Sequence, residues 1–383
     1  MNKILNYSRQ AVDSFDIKIV SQTLKNDLLT QGNILEKFEK ALKNYLRAKY
    51  CVVTSSGTSA LQIAGRLMNF KKGDKVLLSP LTFCAAANVV ISYGATPVFV
   101  DVEYDTGNIS FLELLKYLKK TKNIKALIAT DYGGVPCDWK KIHKICKKKN
   151  ILIINDNCHS LGSKYYGRKD YAAKYADIVI QSFHPVKHIT TGEGGALITN
   201  NKKIFQKAFN LRSHGIIRNL KKYWIYDIKQ FSFNYRISEI NCALGLTQLK
   251  KLDKRINFKR KVARNYDRFF KKFNFIKIPQ NNKVLFNSYH LYPLKIEFDK
   301  IKSSRYELFK FFLKKNIRLQ LHYVPTYRLS VFKKYKKFGS FNNTEKLYNQ
   351  IVSIPMFYNM SSKELKKVKK TFLDFFKNKK ITL

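Results

Sequence analysis

Apolar residues recur along this chain with two periods, one close to that of a helix and one close to that of a buried strand. Residues 11–25, "AVDSFDIKIVSQTLK", keep helix-like spacing, and residues 34–46, "ILEKFEKALKNYL", keep it more clearly. In the second segment Ile34, Phe38, Ala41, Leu42 and Leu46 share a broad face. The stretch "YCVVTSSGTSALQIAGRLMNF" predicts a short strand, a small-residue turn and a helix that begins near Gly57. "DKVLLSP" and "ATPVFVDV" predict short buried strands, with "FCAAANVVISYG" as the helix that joins them. Four more apolar runs follow at 125–131, 151–156, 177–183 and 195–200, each bounded by polar or glycine turns.

The first two of these runs flank a basic helix-like segment, "WKKIHKICKKK". Strand, helix and strand in this rhythm predict an α/β fold, a sheet covered by helices. The last three runs follow one another too closely for full helical crossovers, so part of the sheet is expected to be hairpin-like or antiparallel. Residues 234–272 then form one long helical pattern, after which the material changes. "HLYPLKIEF", "SRYELFKFFLKKN" and "SKELKKVKKTFLDFFKN" read as a strand and two amphipathic helices. A boundary is therefore expected near residue 250, between a large domain over 1–250 and a small one over 251–383. No internal repeat is evident, and the tail is expected to fray after about 376.

Composition narrows the function classes. The chain has 383 residues, 45% of them hydrophobic, with 16 Gly and 8 Pro, which is a globular rather than a disordered balance. Its six cysteines form no close pair, so neither a zinc ribbon nor a disulfide framework is expected, and reduced thiols are. The N-terminal segment lacks an apolar core of secretory length, and no run approaches the roughly 18 residues of a membrane span. A cytoplasmic protein is the expectation.

The formal net charge of +47 would by itself favour nucleic acid or an anionic surface as partner. The excess is mostly lysine, accompanied throughout by abundant Asn, Ile, Phe and Tyr, which fits a compositional bias on a solvated surface. No zinc finger, RNP-like aromatic strand or RGG tract supports a nucleic-acid role.

Candidate chemistry begins at "SFHPVKHITTGEGG", residues 182–195, where Lys187 follows a buried strand and precedes a glycine-rich turn. Ligand sites in α/β sheets form at such strand ends. A lysine there can form a Schiff base with a carbonyl, including that of pyridoxal phosphate; a plain surface lysine is the alternative. Asp156 ends the apolar run "ILIIND", an expensive place for an unpaired carboxylate unless it caps a helix. A protonated pyridine nitrogen would be its natural partner. His159 could contact the same ring or simply pack. In "SSGTSA", the N–H groups of Gly57, Thr58 and Ser59 and the Thr58 hydroxyl can hold an anion at a helix start. Phe83, after another short strand, could stack on a ring or belong to the core.

Beyond these residues, "LLTQG" (28–32), "SSGTSAL" (55–61), "SPLTFCA" (79–85), "GATPVFVDV" (94–102), "DNCHSLG" (156–162), "RSHGI" (212–216) and "NYRISEINCALGLTQL" (234–249) accompany the lysine segment. With it, they resemble the DegT/DnrJ/EryC1/StrS family of sugar-nucleotide aminotransferases over nearly the whole chain. The resemblance implies the PLP-dependent type I aminotransferase fold, with a mixed, mainly parallel sheet in the large domain. The smaller α+β C-terminal domain would close over the cofactor, pyridoxal 5'-phosphate. It implies that Lys187 carries the Schiff base, that Asp156 pairs with the pyridine nitrogen, that His159 lies near the ring and that Phe83 stacks on it. Gly57, Thr58 and Ser182 would bind the phosphate, and Asn234 would reach the phosphate of a neighbouring subunit in a homodimer with shared active sites. Tyr7, Leu29 and Thr30 would lie near the sugar, while Arg212, His214, Arg236 and His322 are the candidates for the rest of the substrate.

Within the family, "YSRQ" (7–10), "RSHGI" and "HYVPTY" (322–327) are most similar to members that pass an amino group from L-glutamate to C4 of a UDP-linked 2-acetamido-2,6-dideoxy-hexos-4-ulose. Another nucleotide-linked keto sugar is the alternative, and a basic nucleic-acid or anionic-surface binder on the same scaffold is a third reading. Two positions depart from the family pattern: Asn155 stands where Glu is common, and Asn157 where a small residue is. In the family's 3-dehydratases a histidine replaces the anchoring lysine, so Lys187 points to transamination. His184 and His188 flank it, but no carboxylate or thiolate set surrounds them, and no metal is expected.

Overall fold

The structure, a computed structural model, describes residues 4–219, 221–222, 224–280 and 284–379. Its first strands are β1 (Tyr50–Thr54), β2 (Lys75–Leu78), β3 (Thr96–Phe99), β4 (Ile124–Thr130) and β5 (Leu152–Asp156). A two-residue strand, β6 (Lys164–Tyr165), lies outside the main sheet, which β7 (Ile178–Ser182) and β8 (Gly195–Thr199) complete. The seven strands stand in the order β1-β8-β7-β5-β4-β2-β3. All run parallel except β8, which is antiparallel to both β7 and β1. The expected antiparallel part is thus the β7–β8 pair, whereas β5 and β7 are parallel despite their short connection.

Helices α1 (Ser14–Thr23), α2 (Asn33–Leu46), α3 (Gly57–Leu67), α4 (Ala85–Ser92), α5 (Phe111–Lys120), α6 (Trp139–Lys148), α7 (Tyr171–Tyr175) and α8 (Lys202–Leu211) accompany this sheet. The amphipathic stripe of α2 packs Leu35, Phe38, Leu42 and Leu46 into the core on one sheet face, and Ile34 and Ala41 lie at its margin. Each such side chain contributes about 1.5–3 kcal/mol by leaving water. A second core, including Ala60, Ile63 and Ala64 of α3, covers the other face.

The long helical pattern at 234–272 is corrected at its start. Tyr235 donates its N–H to the Arg212 carbonyl at 2.9 Å and accepts from Ser55 N–H at 2.9 Å, so this segment stays extended. Helix α9 (Glu239–Lys250) begins only after Ser238, whose hydroxyl accepts from Asn241 N–H. Lys251 separates it from α10 (Leu252–Phe270). Along α10 the packing changes: Leu252 and Ile256 belong to the core of the main sheet, Val262 to Phe270 to a third core.

That third core gathers β9 (Pro293–Ile296) and β10 (Ile351–Ser353), which pair antiparallel, and α11 (Arg305–Lys314) with α12 (Ser362–Asn378). Leu5 joins it, held between Asn316 and Arg318 by two backbone hydrogen bonds of 2.9 Å. The strand expected at 290–298 is confined to Pro293–Ile296, and a 3-10 turn follows. The expected fraying of the tail falls partly on residues 380–383, outside the described residues.

One buried carboxylate ties the start of the chain to this frame. Asp16 completes a capping box with Asp13 at the start of α1. It has no exposed surface, and it accepts from Thr247 Oγ1 at 2.5 Å, Gln248 Nε2 at 2.7 Å and Lys251 Nζ at 2.8 Å. Asp16→Ala would remove the acceptor shared by Thr247, Gln248 and the half-buried Lys251, leaving them their further contacts to Leu244, Ala11 and Asp13. The variant should lose about 3 kcal/mol of stability, read as a lowered urea midpoint with an unchanged slope.

Candidate active site

The parallel register brings the candidate residues to the carboxyl ends of the strands. Thr130 at the end of β4 stands opposite Asp156 at the end of β5. Thr130 Oγ1 donates to Asp156 Oδ2 at 3.4 Å, and the Cys158 N–H reaches Asp156 Oδ1 at 3.3 Å. Asp156 is 7% exposed, without a lysine or arginine within ion-pair distance among the described residues. A buried carboxylate with two long contacts has capacity left for a cationic or N–H partner.

Lys187 lies on the loop from β7 to β8, with its N–H on the His184 carbonyl at 2.8 Å. Its surroundings lower the amine pKa, chiefly by burial, against the opposing pull of Cys158 and Asp156. A lowered pKa increases the fraction of free amine, the form that attacks a carbonyl.

The small-residue turn packs directly beside this loop. Ser56 caps α3, its hydroxyl accepting from Ser59 N–H at 3.0 Å, so Ser59 N–H is already used. Gly57 sits against Ser182: a Cβ on Gly57 would lie 3.0 Å from Ser182 Cβ. On the adjoining strand, a Cβ on Gly195 would lie 2.4 Å from the Gly57 nitrogen and the Ser56 carbonyl, so only glycine admits this approach. The result is a glycine-lined helix start beside two serines and the exposed Thr58, suited to a phosphate.

His159 occupies the space between the sheet and the C-terminal unit. It is buried, and Gly133 N–H approaches its Nδ1 at 3.4 Å. Nδ1 is then the acceptor, which leaves Nε2–H to donate to Tyr323 Oη at 3.0 Å. Burial, and then Lys187, push the His159 pKa well below the usual imidazole range, so the ring is neutral. Tyr323 also lies 6.3 Å from the ring of Phe83, which is 58% exposed, and 4.9 Å from that of His322. His322 in turn stands 4.9 Å from the ring of Tyr7 and bonds Ser353 Oγ at 2.9 Å.

Tyr7, Phe83, Asp156, His159, Lys187 and His322 thus gather at one place, with Gly57, Thr58, Ser59 and Ser182 beside it. The other candidates lie elsewhere on the chain. Leu29 and Thr30 are exposed and fastened to α9, through Glu239 N–H on the Leu29 carbonyl and a Thr30–Ser238 bridge. Asn234 is exposed and bridged to Ser213; its Oδ1 accepts from Arg236 N–H at 3.0 Å. His214 takes a left-handed backbone and donates its N–H to the Phe233 carbonyl. Arg212 is turned inward: 3% exposed, it pairs through Nη1 with Glu39 at 2.7 Å, while its Nε has no hydrogen-bond partner among the described residues.

Three residues at the site escaped the sequence reading. Tyr323 adjoins His322 within "HYVPTY" and carried no separate signal. His290, whose ring lies 4.3 Å from that of His159, follows no recognisable motif. Asp131 ends the apolar run "KALIATD" just as Asp156 ends its own, so the strand-end carboxylate rule could have found it.

A mainly parallel sheet bearing a lysine loop, a buried carboxylate and a small-residue helix start at one edge is the arrangement of the type I aminotransferases, and this fold is of that class. A model of the DegT/DnrJ/EryC1/StrS aminotransferase family matches residues 10–373, and the chain belongs to that family. A Campylobacter jejuni protein named UDP-4-amino-4,6-dideoxy-N-acetyl-beta-L-altrosamine transaminase is 39% identical over 98% of this chain and 99% of its own length. The Helicobacter pylori protein of the same name is 32% identical over 98% of each. The solved structure of Helicobacter pylori PseC, an aminotransferase involved in the biosynthesis of pseudoaminic acid, matches with a TM-score of 0.92 at 31% identity. It covers 98% of this chain and 100% of that one.

The buried histidines set a pH dependence. Burial, with help from Lys187, lowers the His322 pKa from 6.5 to about 3, and His159, His188 and His290 shift in the same direction. In the unfolded chain each takes up a proton below about 6.5, while the folded chain resists it, so stability is full above that pH and falls as pH drops toward 3. His322 alone accounts for up to roughly 4 kcal/mol of this loss. Urea midpoints measured between pH 7 and 4 should fall less steeply for His322→Asn than for the wild type, by up to one proton in the slope.

Proposed function

We propose that this chain is a pyridoxal 5'-phosphate-dependent nucleotide-sugar 4-aminotransferase. Its reaction moves an amino group from L-glutamate to C4 of UDP-2-acetamido-2,6-dideoxy-beta-L-arabino-hexos-4-ulose, giving UDP-4-amino-4,6-dideoxy-N-acetyl-beta-L-altrosamine, a pseudaminic acid precursor. One observation carries the reading: Lys187, Asp156 and the Gly57 turn converge in a chain 39% identical, end to end, to a relative of that name. The residues present suit the cofactor. A phosphate would fit at Gly57, Thr58 and Ser182, a pyridine nitrogen at Asp156, and the ring between His159 and Phe83.

When bound, the cofactor supplies an aldehyde for imine formation and a ring that accepts electrons. Lys187 would hold the cofactor, and its free amine would take the proton from the glutamate α-carbon. In the second half it delivers a proton to sugar C4 from its own side, which sets the configuration of the new amine. Asp156 would pair its carboxylate with the ring nitrogen and so support the ring as an electron acceptor. Neutral His159, tied to Tyr323, orients the ring without adding charge.

The proposal includes a cytoplasmic homodimer whose small C-terminal domain, beyond residue 250, closes on the site. The segment leading to Asn234 carries exposed apolar side chains: Tyr226 at 57%, Phe231 at 58% and Phe233 at 54%. A patch of this kind is suited to a second copy, in which Asn234 and Arg236 would face the partner's site. Tyr7, Leu29, Thr30, His214 and His322 are the further candidates for the nucleotide sugar.

The test supplies the purified protein with pyridoxal 5'-phosphate, L-glutamate and UDP-linked 4-keto sugars of both C5 configurations. Wild type should show visible absorbance from bound cofactor and aminate the L-configured sugar, with product stereochemistry read by NMR. Lys187→Ala should lose both the absorbance and the activity, while its melting temperature stays near that of the wild-type apoprotein. Amination of the D-configured sugar alone would move the assignment to a different nucleotide-linked keto sugar.

A further inference from the structure

Next to Asp156, at the end of the neighbouring strand, stands a second carboxylate that the proposed reaction does not use. Asp131 follows β4 and has no exposed surface. Its Oδ1 accepts from Cys137 N–H and Trp139 Nε1–H, and its Oδ2 from Asn157 Nδ2–H and Tyr171 Oη–H, each at 2.8 Å. Among the described residues no lysine or arginine lies within ion-pair distance of it. Burial pushes its pKa up to about 6, against the pull of these donors, so it is ionised at neutral pH. Four donors and no counter-cation among the described residues make it a buried carboxylate that carries its charge at neutral pH and loses it as pH falls through about 6.

Its contacts converge on one turn, the four residues after β5. Asp131 N–H donates to the Asp156 carbonyl at 3.3 Å, and Ser160 Oγ donates to the Asp131 carbonyl at 3.1 Å. Asn157, held by Asp131 and by Tyr171 Oη at 3.0 Å, accepts from Gln181 Nε2 at 2.6 Å and so links the turn to β7. Two residues beyond Asp131, Gly133 N–H meets His159 Nδ1. Both ends of the turn that presents Asp156 and His159 are therefore anchored on Asp131 or its immediate neighbours. The groups facing it are Tyr171 from α7, Cys137 and Trp139 at the start of α6, and Asn157 from the turn.

We infer that Asp131 is a positioning residue for the proposed transamination: it locks the Asp156–His159 turn through Asn157 and Ser160, and it adds a second negative charge behind Asp156. The inference rests on the function proposed above. Its charge reinforces Asp156 in favouring protonated nitrogen on a bound cofactor, while its hydrogen bonds hold the Asp156 carboxylate in place.

Two variants separate these roles, with pyridoxal 5'-phosphate as the probe. Asp131→Asn removes the charge and pairs donor against donor at one oxygen. It should weaken cofactor binding by on the order of tenfold. It should also move the pH midpoint of the bound cofactor's visible absorbance downward, because protonated nitrogen loses support. Asn157→Ala keeps both carboxylates and cuts one tether, so it should weaken binding with the midpoint close to wild type. Wild-type affinity and midpoint in a folded Asp131→Asn would overturn the inference. If Asp131→Asn does not fold, Asn157→Ala decides: wild-type affinity there overturns it equally. A wild-type protein that binds no cofactor would instead sink the function proposed above.

Discussion

The site depends on the register of three parallel strands. Thr130 of β4 stands beside Asp156 of β5, and Asp156 beside Ile180 of β7. Side chains alternate across a sheet, so a slip of one residue would send Asp156 to the opposite face and bring Asn155 into its place. With the register as it stands, β5 ends in Asp156 opposite Thr130, the last residue of β4, Asp131 follows Thr130, and the loop after β7 carries Lys187. The single antiparallel strand, β8, then returns along β7 and reaches the start of α3 through Gly195. One reversal in a parallel sheet therefore brings the lysine loop and the phosphate-sized turn to the same corner.

That corner concentrates basic groups. Lys187, His159, His188, His290 and His322 lie in it, and Lys259, only 6% exposed, sits behind them on α10. Two unit charges about 5 Å apart repel by roughly 3 kcal/mol near a protein surface, and more where water is scarce. Burial lowers the pKa of every one of these groups, with Lys259 reaching about 7, and the imidazoles stay neutral. A neutral imidazole accepts at one nitrogen and donates at the other, which lets His159 join Gly133 to Tyr323. The same desolvation that would penalise a cation here favours a lysine in its free-amine form.

Much of this was legible in the chain because it rests on local signals. Strand ends that terminate in a carboxylate or lead into a lysine loop, and a glycine–serine turn before a helix, are patterns of adjacent residues. Asp156, Lys187 and Gly57 could be named from such patterns alone, and the α/β rhythm placed them on one edge of a sheet. Tyr323 and His290 could not, because their roles come from a C-terminal unit folding back over the sheet, a contact between residues more than a hundred positions apart. The start of α9 was misjudged for a related reason. Residues 234–238 continue the apolar spacing of the helix that follows, but only Arg236 among them is a strong helix former, and the Tyr235 backbone is claimed by Arg212 and Ser55. Arg212 shows the opposite limit: the family resemblance makes it a substrate candidate, yet Glu39 takes its guanidinium into the core.

The charge of the chain bears on how two copies could meet. With 73 basic and 26 acidic side chains, pairing every acid would still leave 47 positive charges. Most of the lysines face water, where the Debye length of about 8 Å screens them at physiological salt. Two such surfaces repel wherever they approach within that distance. The segment 224–235, "WIYDIKQFSFNY", differs: it carries one aspartate and one lysine among exposed aromatic and aliphatic side chains. Contact through it would bury apolar area while keeping most of the like charges apart, so the energetic balance of association favours this face over the lysine-rich surface. It is also the segment that contains the exposed Asn234 and adjoins the half-buried Arg236. A charge-poor face at that position is compatible with the homodimer proposed above for a strongly basic chain.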